Sequence, residues 1–150
     1  MRLRRSPLMI ALLAAMALAG CHSKTATSVA ATPATVNVQH LNGSTEVNKH
    51  PQRIVVLDYA SLETLQLLGV EPLALPGNRK NLPDSLKRYQ DDKYLNAGTL
   101  FEPDMAVLRA AKPDLILIAG RASKAYDELN ALAPTLNMSV DPQDQLGSLK

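Results

Sequence analysis

The chain has 150 residues with 16 basic and 14 acidic side chains, a formal net charge of +2. After any leader is removed, that is enough for one modest domain. With one cysteine an internal disulfide is impossible, and with no tryptophan and one phenylalanine the core must be built from Leu, Val, Ile and Ala.

Arg2, Arg4 and Arg5 form a positive leader, followed by an uncharged apolar run from Leu8 to Leu18 that is short for a transmembrane helix. The run ends in Leu18-Ala19-Gly20-Cys21, which resembles the lipobox of bacterial lipoproteins. That resemblance implies a signal peptide over residues 1–20 and a lipid on Cys21 that holds the exported chain to a membrane. The competing reading is ordinary secretory cleavage after Ala19, with Cys21 an incidental thiol. Loss of the three leader arginines leaves 13 basic against 14 acidic residues, so no basic face for nucleic acid is implied. Residues 21–35, rich in Ser, Thr and Ala, read as a flexible tether.

Val36 and Val38 alternate with polar residues before Asn42-Gly43, and Thr45 to Val47 follow; this pattern predicts a hairpin turning at Asn-Gly. The continuous apolar run Ile54–Leu57 suits a strand buried on both faces. Ser61 is the expected cap of a helix running through Leu68, with Leu62, Leu65 and Leu68 on one face and Gly69 as the stop. Leu73–Leu75 is a second short strand. Residues 76–98 are long and polar, with one helical turn near Asp84–Arg88. Pro103–Ala111 reads as a helix with proline in its first turn, broken by Lys112-Pro113. Leu115–Ala119 is a strand, Ser123–Leu132 a helix stopped before Pro134, and Leu136–Val140 a last strand.

The alternation of strand and helix predicts an α/β fold: a parallel sheet with helices on both faces, preceded by the hairpin. Ligands of such sheets gather at the carboxyl ends of the strands, here Asp58-Tyr59, residues 76–80 and Gly120-Arg121.

Four blocks carry a family likeness: Pro51 to Asp58 with Leu62-Glu63-Thr64-Leu65 and Leu68-Gly69-Val70; Gly98 to Asp104; Lys112 to Ile116; and Gly120 to Tyr126. Together they resemble the periplasmic iron-siderophore and cobalamin binding proteins, the solute receptors of ABC importers. Within that family they resemble the subgroup for ferric catecholates of the enterobactin and petrobactin types. The resemblance implies a capture function without catalysis. It places residues 36–150 as the N-terminal lobe of a two-lobed receptor whose usual length is about twice this chain's, so a truncated or partial receptor is expected. A cobalamin or haem receptor, or a lone lobe serving as an interaction module, are the alternatives.

Arg121, after a buried strand and near a helix start, is the leading candidate contact for the anionic ferric complex, because guanidinium and backbone N–H groups favour an anion there. The resemblance implies a siderophore-contacting arginine at this position. Lys124 is placed to face the same cleft, Arg79 and Lys80 to add positive charge at its rim, and Tyr59 and Tyr126 to stack on catechol rings; each has a plain structural role as its competitor. The resemblance also implies a permease-docking glutamate where Ala106 stands, with Glu102 and Asp104 as nearby substitutes. His22, His40 and His50 all precede the α/β region and form no metal-ligand spacing with Cys21. No nucleophile-elbow, P-loop or dinucleotide motif is present, so no enzyme, metal or cofactor is expected.

Overall fold

A computed structural model of the protein describes residues 34–140. The expected leader, Cys21 and most of the expected tether lie outside the described residues.

The hairpin pairs β1 (Thr35–His40) with β2 (Gly43–Asn48), Val36 opposite Val47 and His40 opposite Gly43. Its turn is Leu41-Asn42, one residue earlier than expected. Gly43 lies beyond the turn centre and opens β2 at φ +119°, a backbone angle that only glycine adopts without strain.

The remaining strands are β3 (Ile54–Val56), β4 (Ala74–Leu75), β5 (Leu95–Asn96), β6 (Leu115–Ile118) and β7 (Thr135–Asn137). They form one parallel sheet in the order β5-β4-β3-β6-β7. Strand β5 was not visible in the sequence, because both of its residues are exposed and it exists through pairing with β4. The last strand was expected at Leu136–Val140. It begins at Thr135 instead and ends at Asn137, whose side chain is buried.

Side chains alternate across the strands, and this builds two cores. Ile54, Val56, Leu115, Leu117 and Leu136 pack on one face with Leu62 and Leu65 of α1 (Tyr59–Leu67), and with Leu86 and Tyr89 of a 3-10 helix (Asp84–Gln90). Leu86 and Tyr89 are three residues apart, so the three-fold repeat of a 3-10 helix sets them on one side. Val55, Leu57, Ile116 and Ile118 pack on the other face with Leu108 of α2 (Met105–Ala111) and Leu129 of α3 (Tyr126–Asn130). Each fully buried Leu or Ile contributes on the order of 2 kcal/mol of transfer free energy.

Three helix starts differ from expectation. Helix α1 is capped by Asp58, not Ser61; extended Asp58 accepts the Ser61 backbone N–H (2.7 Å) and the Ser61 hydroxyl (2.9 Å). Leu68, expected on the inward face, is exposed just past the helix end. Helix α2 is capped by Asp104, which accepts from Ala106 N and Val107 N, so Pro103 stands outside the helix, bridged to Gly98. The helix expected over Ser123–Leu132 is two pieces, a 3-10 helix (Gly120–Ala125) followed by α3.

The blocks at the amino end of the sheet brace one another. The Asp114 carboxylate accepts the backbone N–H groups of Gln52 (2.7 Å) and Arg53 (2.8 Å), and Arg53 Nε donates to the carbonyls of Ala111 and Lys112 (both 3.0 Å). Those contacts fix β3 beside β6 and leave the opposite, carboxyl ends to present side chains.

Candidate ligand-binding site

The chain proceeds from β3 to β4 on one side of the sheet and returns to β6 on the other. The strand order therefore changes direction between β3 and β6, and the carboxyl ends of these two strands are where open α/β sheets form a ligand crevice. Tyr59 follows β3 and Arg121 follows β6. The two are close enough for the guanidinium to act on the phenol: burial raises the Tyr59 pKa, and the charge of Arg121 partly opposes that rise. The Tyr59 hydroxyl donates to the Asn78 carbonyl (3.2 Å), which ties the loop after β4 to the same crevice.

The 3-10 geometry after β6 sorts that segment into three rows, because residues three apart stand in line. Ala122 is buried and Ala125 packs beside it against the core. Ser123 turns toward the end of β7, where the Asn137 side-chain amide donates to its hydroxyl (3.3 Å). Arg121 and Lys124 make the third row and are both exposed.

Charge pairing separates these cations from most of the others. Arg79, Lys87, Arg88, Lys93 and Arg109 each meet a carboxylate, whereas Arg121, Lys124 and Lys80, like Lys49, Arg53 and Lys112 away from this end of the sheet, enter no ion pair among the described residues. Arg121 thus stands near half-buried Tyr59, and Lys124 follows it one 3-10 turn on, leaving two exposed positive charges that no carboxylate offsets among the described residues.

Other candidates take other roles. Arg79 was expected as a rim cation, yet its side chain is only 14% exposed, and Nη1 donates to the Tyr94 carbonyl at 2.9 Å. It closes the loop between β4 and β5. Lys80 lies beside it, exposed, on a cavity of about 340 Å³ shared with Gly77, Gln90 and Asp92. A smaller cavity of about 190 Å³ is lined by Asp58, Ser61, Thr64, Leu65, Leu117 and Met138. Neither is lined by Arg121 or Lys124, both of which are exposed. Tyr126 packs against the core, with its ring 5.8 Å from that of His40. Asp104 is committed to capping α2. Glu102 is exposed in a tight turn in which Thr99 Oγ1 accepts the N–H groups of Phe101 and Glu102. The polar cluster of His40, Asn42, Ser123 and Asn137 was missed in the sequence, because its members come from distant segments. No group of three or more metal-ligating side chains occurs among the described residues.

No protein-family model matches the chain. Petrobactin-binding protein YclQ of Bacillus subtilis (strain 168) is 35% identical over 147 residues, covering 95% of this chain and 46% of YclQ. The YclQ crystal structure superposes with a TM-score of 0.71 at 37% identity, over 77% of this chain and 41% of that one. The periplasmic catecholate-siderophore binding protein VctP of Vibrio cholerae gives a TM-score of 0.69 at 41% identity, over 74% of this chain and 39% of that one.

Homologues of this chain are siderophore-binding proteins.

The candidate ABC transporter substrate-binding lipoprotein YhfQ of Bacillus subtilis (strain 168) is 37% identical over 119 residues, 74% of this chain and 36% of YhfQ. The chain thus spans less than half the length of these relatives. The described residues have the α/β fold of one lobe of a periplasmic binding protein.

Proposed function

We propose that this chain is the first lobe of a solute receptor that captures a ferric siderophore, of the catecholate type, for an ABC importer, with a lipid on Cys21 holding it at the membrane. The observation that carries the reading is the Arg121–Lys124 row beside Tyr59 at the crevice between β3 and β6. A ferric catecholate complex is a multiply charged anion with flat, oxygen-rich faces. Arginine meets such a surface with a planar fork, and a tyrosine ring stacks on a catechol. The names of the relatives point to the same ligand class, and a relative named as a lipoprotein supports the anchor. The action is capture: electrostatic attraction brings the anion to an open cationic face, and a facing lobe encloses it. Cobalamin or haem would draw less benefit from unpaired cations.

Calorimetric titration of the chain with a ferric tris-catecholate tests the reading. Arg121→Glu is expected to weaken binding at least tenfold, a change of about 1.4 kcal/mol, with an unchanged circular dichroism spectrum. Equal affinities for the two proteins would refute it. The anchor is tested by radiolabelled palmitate in growing bacteria: label is expected on the wild-type chain and absent from Cys21→Ser. Glu102 is the remaining exposed acidic candidate for permease docking, since Asp104 is held by its cap. Charge reversal at Glu102 is expected to lower uptake without lowering ligand affinity.

A further inference from the structure

A polar cluster stands where the hairpin meets the end of β7, apart from the cationic row. His40 closes β1, and its ring is partly buried. Nδ1 accepts two backbone N–H groups, from Asn42 and from Asn137, each at 3.3 Å. Nε2 lies 2.8 Å from the Thr45 hydroxyl. Two donors converge on Nδ1, so that nitrogen is bare, and Nε2–H donates to Thr45.

Asn137, only 2% exposed, extends the cluster. Its Nδ2 donates to Asn42 Oδ1 (2.7 Å) and to Ser123 Oγ (3.3 Å), and its Oδ1 accepts the Ser139 N–H (3.1 Å) and hydroxyl (2.7 Å). Ser123 stands between Arg121 and Lys124 on their 3-10 helix, and the Tyr126 ring just after it meets the His40 ring. One imidazole therefore links the hairpin, the end of β7 and the cationic segment.

We propose that His40 is a proton-operated latch: neutral, it pins the turn end of the hairpin to the end of β7 and so braces the cationic helix; protonated, it loosens that end, while Val47 stays in the core. An added proton goes to Nδ1 and turns an acceptor into a donor that faces two N–H groups. Both hydrogen bonds must then break. The groups that meet the ring are Thr45 from β2, the backbone N–H groups of Asn42 in the turn and Asn137 in β7, and Tyr126 from α3; of these only the phenol of Tyr126 is titratable. Burial is what lowers the pKa of His40. The proposal concerns the hairpin itself and holds whichever ligand the crevice takes.

The test is a titration of the full chain from pH 8 to pH 5, followed by imidazole and backbone 1H–15N spectra. At pH 7.5 His40 is expected as the neutral Nε2–H tautomer, and its midpoint is expected below 6.5, the ordinary histidine value. The amide shifts of Asn42 and Asn137 should move with the same midpoint, and hairpin protection factors should fall at least tenfold by pH 5. His40→Asn sets a neutral amide oxygen near the place of Nδ1 and should flatten both responses. Amide shifts that stay fixed while the ring titrates would overturn the latch, as would the same pH response in the Asn variant. If that variant does not fold, the wild-type protection factors decide: a fall in hairpin protection with the His40 midpoint upholds the latch, and protection that stays constant through that midpoint overturns it.

Discussion

Asp58→Ala removes two hydrogen bonds at the start of α1, and the structure lets their loss be apportioned. The carboxylate receives the Ser61 backbone N–H at 2.7 Å, the capping bond proper, and deletion of such a cap costs about 1 kcal/mol. It also receives the Ser61 hydroxyl at 2.9 Å. Ser61 is 7% exposed, so its hydroxyl loses a partner in a place that water reaches poorly, for about another 1 kcal/mol. The sum of about 2 kcal/mol corresponds to a fall in Tm on the order of 10 °C for a domain of about 100 residues. Asp58→Asn keeps an oxygen at the cap and is expected to cost under about 0.5 kcal/mol. Thermal and urea unfolding of the three proteins, followed by far-ultraviolet circular dichroism, check this ordering. Equal destabilisation by Ala and Asn, or an Ala variant within 0.5 kcal/mol of wild type (about a quarter of the expected loss), would refute the assignment of Asp58 as the cap. It would also remove the reason given for where α1 begins, and hence for where Tyr59 stands.

Arg79→Ala is expected to cost about 1–2 kcal/mol in urea unfolding, through loss of the charged donor to the Tyr94 carbonyl. Its 3.9 Å pair with fully exposed Asp92 adds little, and Lys80→Ala should be close to neutral. Gly98→Ala should unfold the chain or cost several kcal/mol: Gly98 lies at φ +93°, and an added Cβ would meet backbone atoms of Asp104 at 2.4 Å and Glu102 at 2.5 Å, visible as a large fall in Tm. Stability should also fall in mild acid. The unfolded chain protonates His40 near 6.5 and the folded chain only at lower pH, so between those values the unfolded state binds more protons. The contribution of His40 is whole above about 6.5 and is lost as pH drops through the folded pKa; urea midpoints at pH 7.5 and 5.5, with His40→Asn as the control, measure it.

The parts of the fold that were legible in the sequence are those set by short-range rules. Ile54–Leu57 read as a strand buried on both faces and Leu115–Ala119 as another apolar strand, and both segments send alternate side chains into separate cores, the second strand ending one residue earlier, at Ile118. The stop at Gly69 and the break at Lys112-Pro113 also fall where expected. Helix starts were less legible, because Asp58, Ser61, Pro103 and Asp104 are all acceptable near a helix N-terminus. The choice among them rests on which residue is extended when the chain leaves its strand or turn. The two-residue strand β5 has no pattern to read.

The site divides along the same line. Composition and the order of strands and helices determined that a parallel sheet would gather basic and aromatic residues at its carboxyl edge, since hydrophobic period and chain connectivity are properties of the sequence. Which of those residues remain available was decided by tertiary structure alone. Arg79 and Arg121 each follow a strand in an irregular segment and look alike in one dimension. Arg79 is consumed by a carbonyl 15 residues away, while Arg121 has no carboxylate partner among the described residues and lies near Tyr59. Tyr126 and Asp104 were spent on packing and capping in the same way. A charged side chain is free or used according to what long-range folding brings within about 3 Å of it, and no local pattern records that distance.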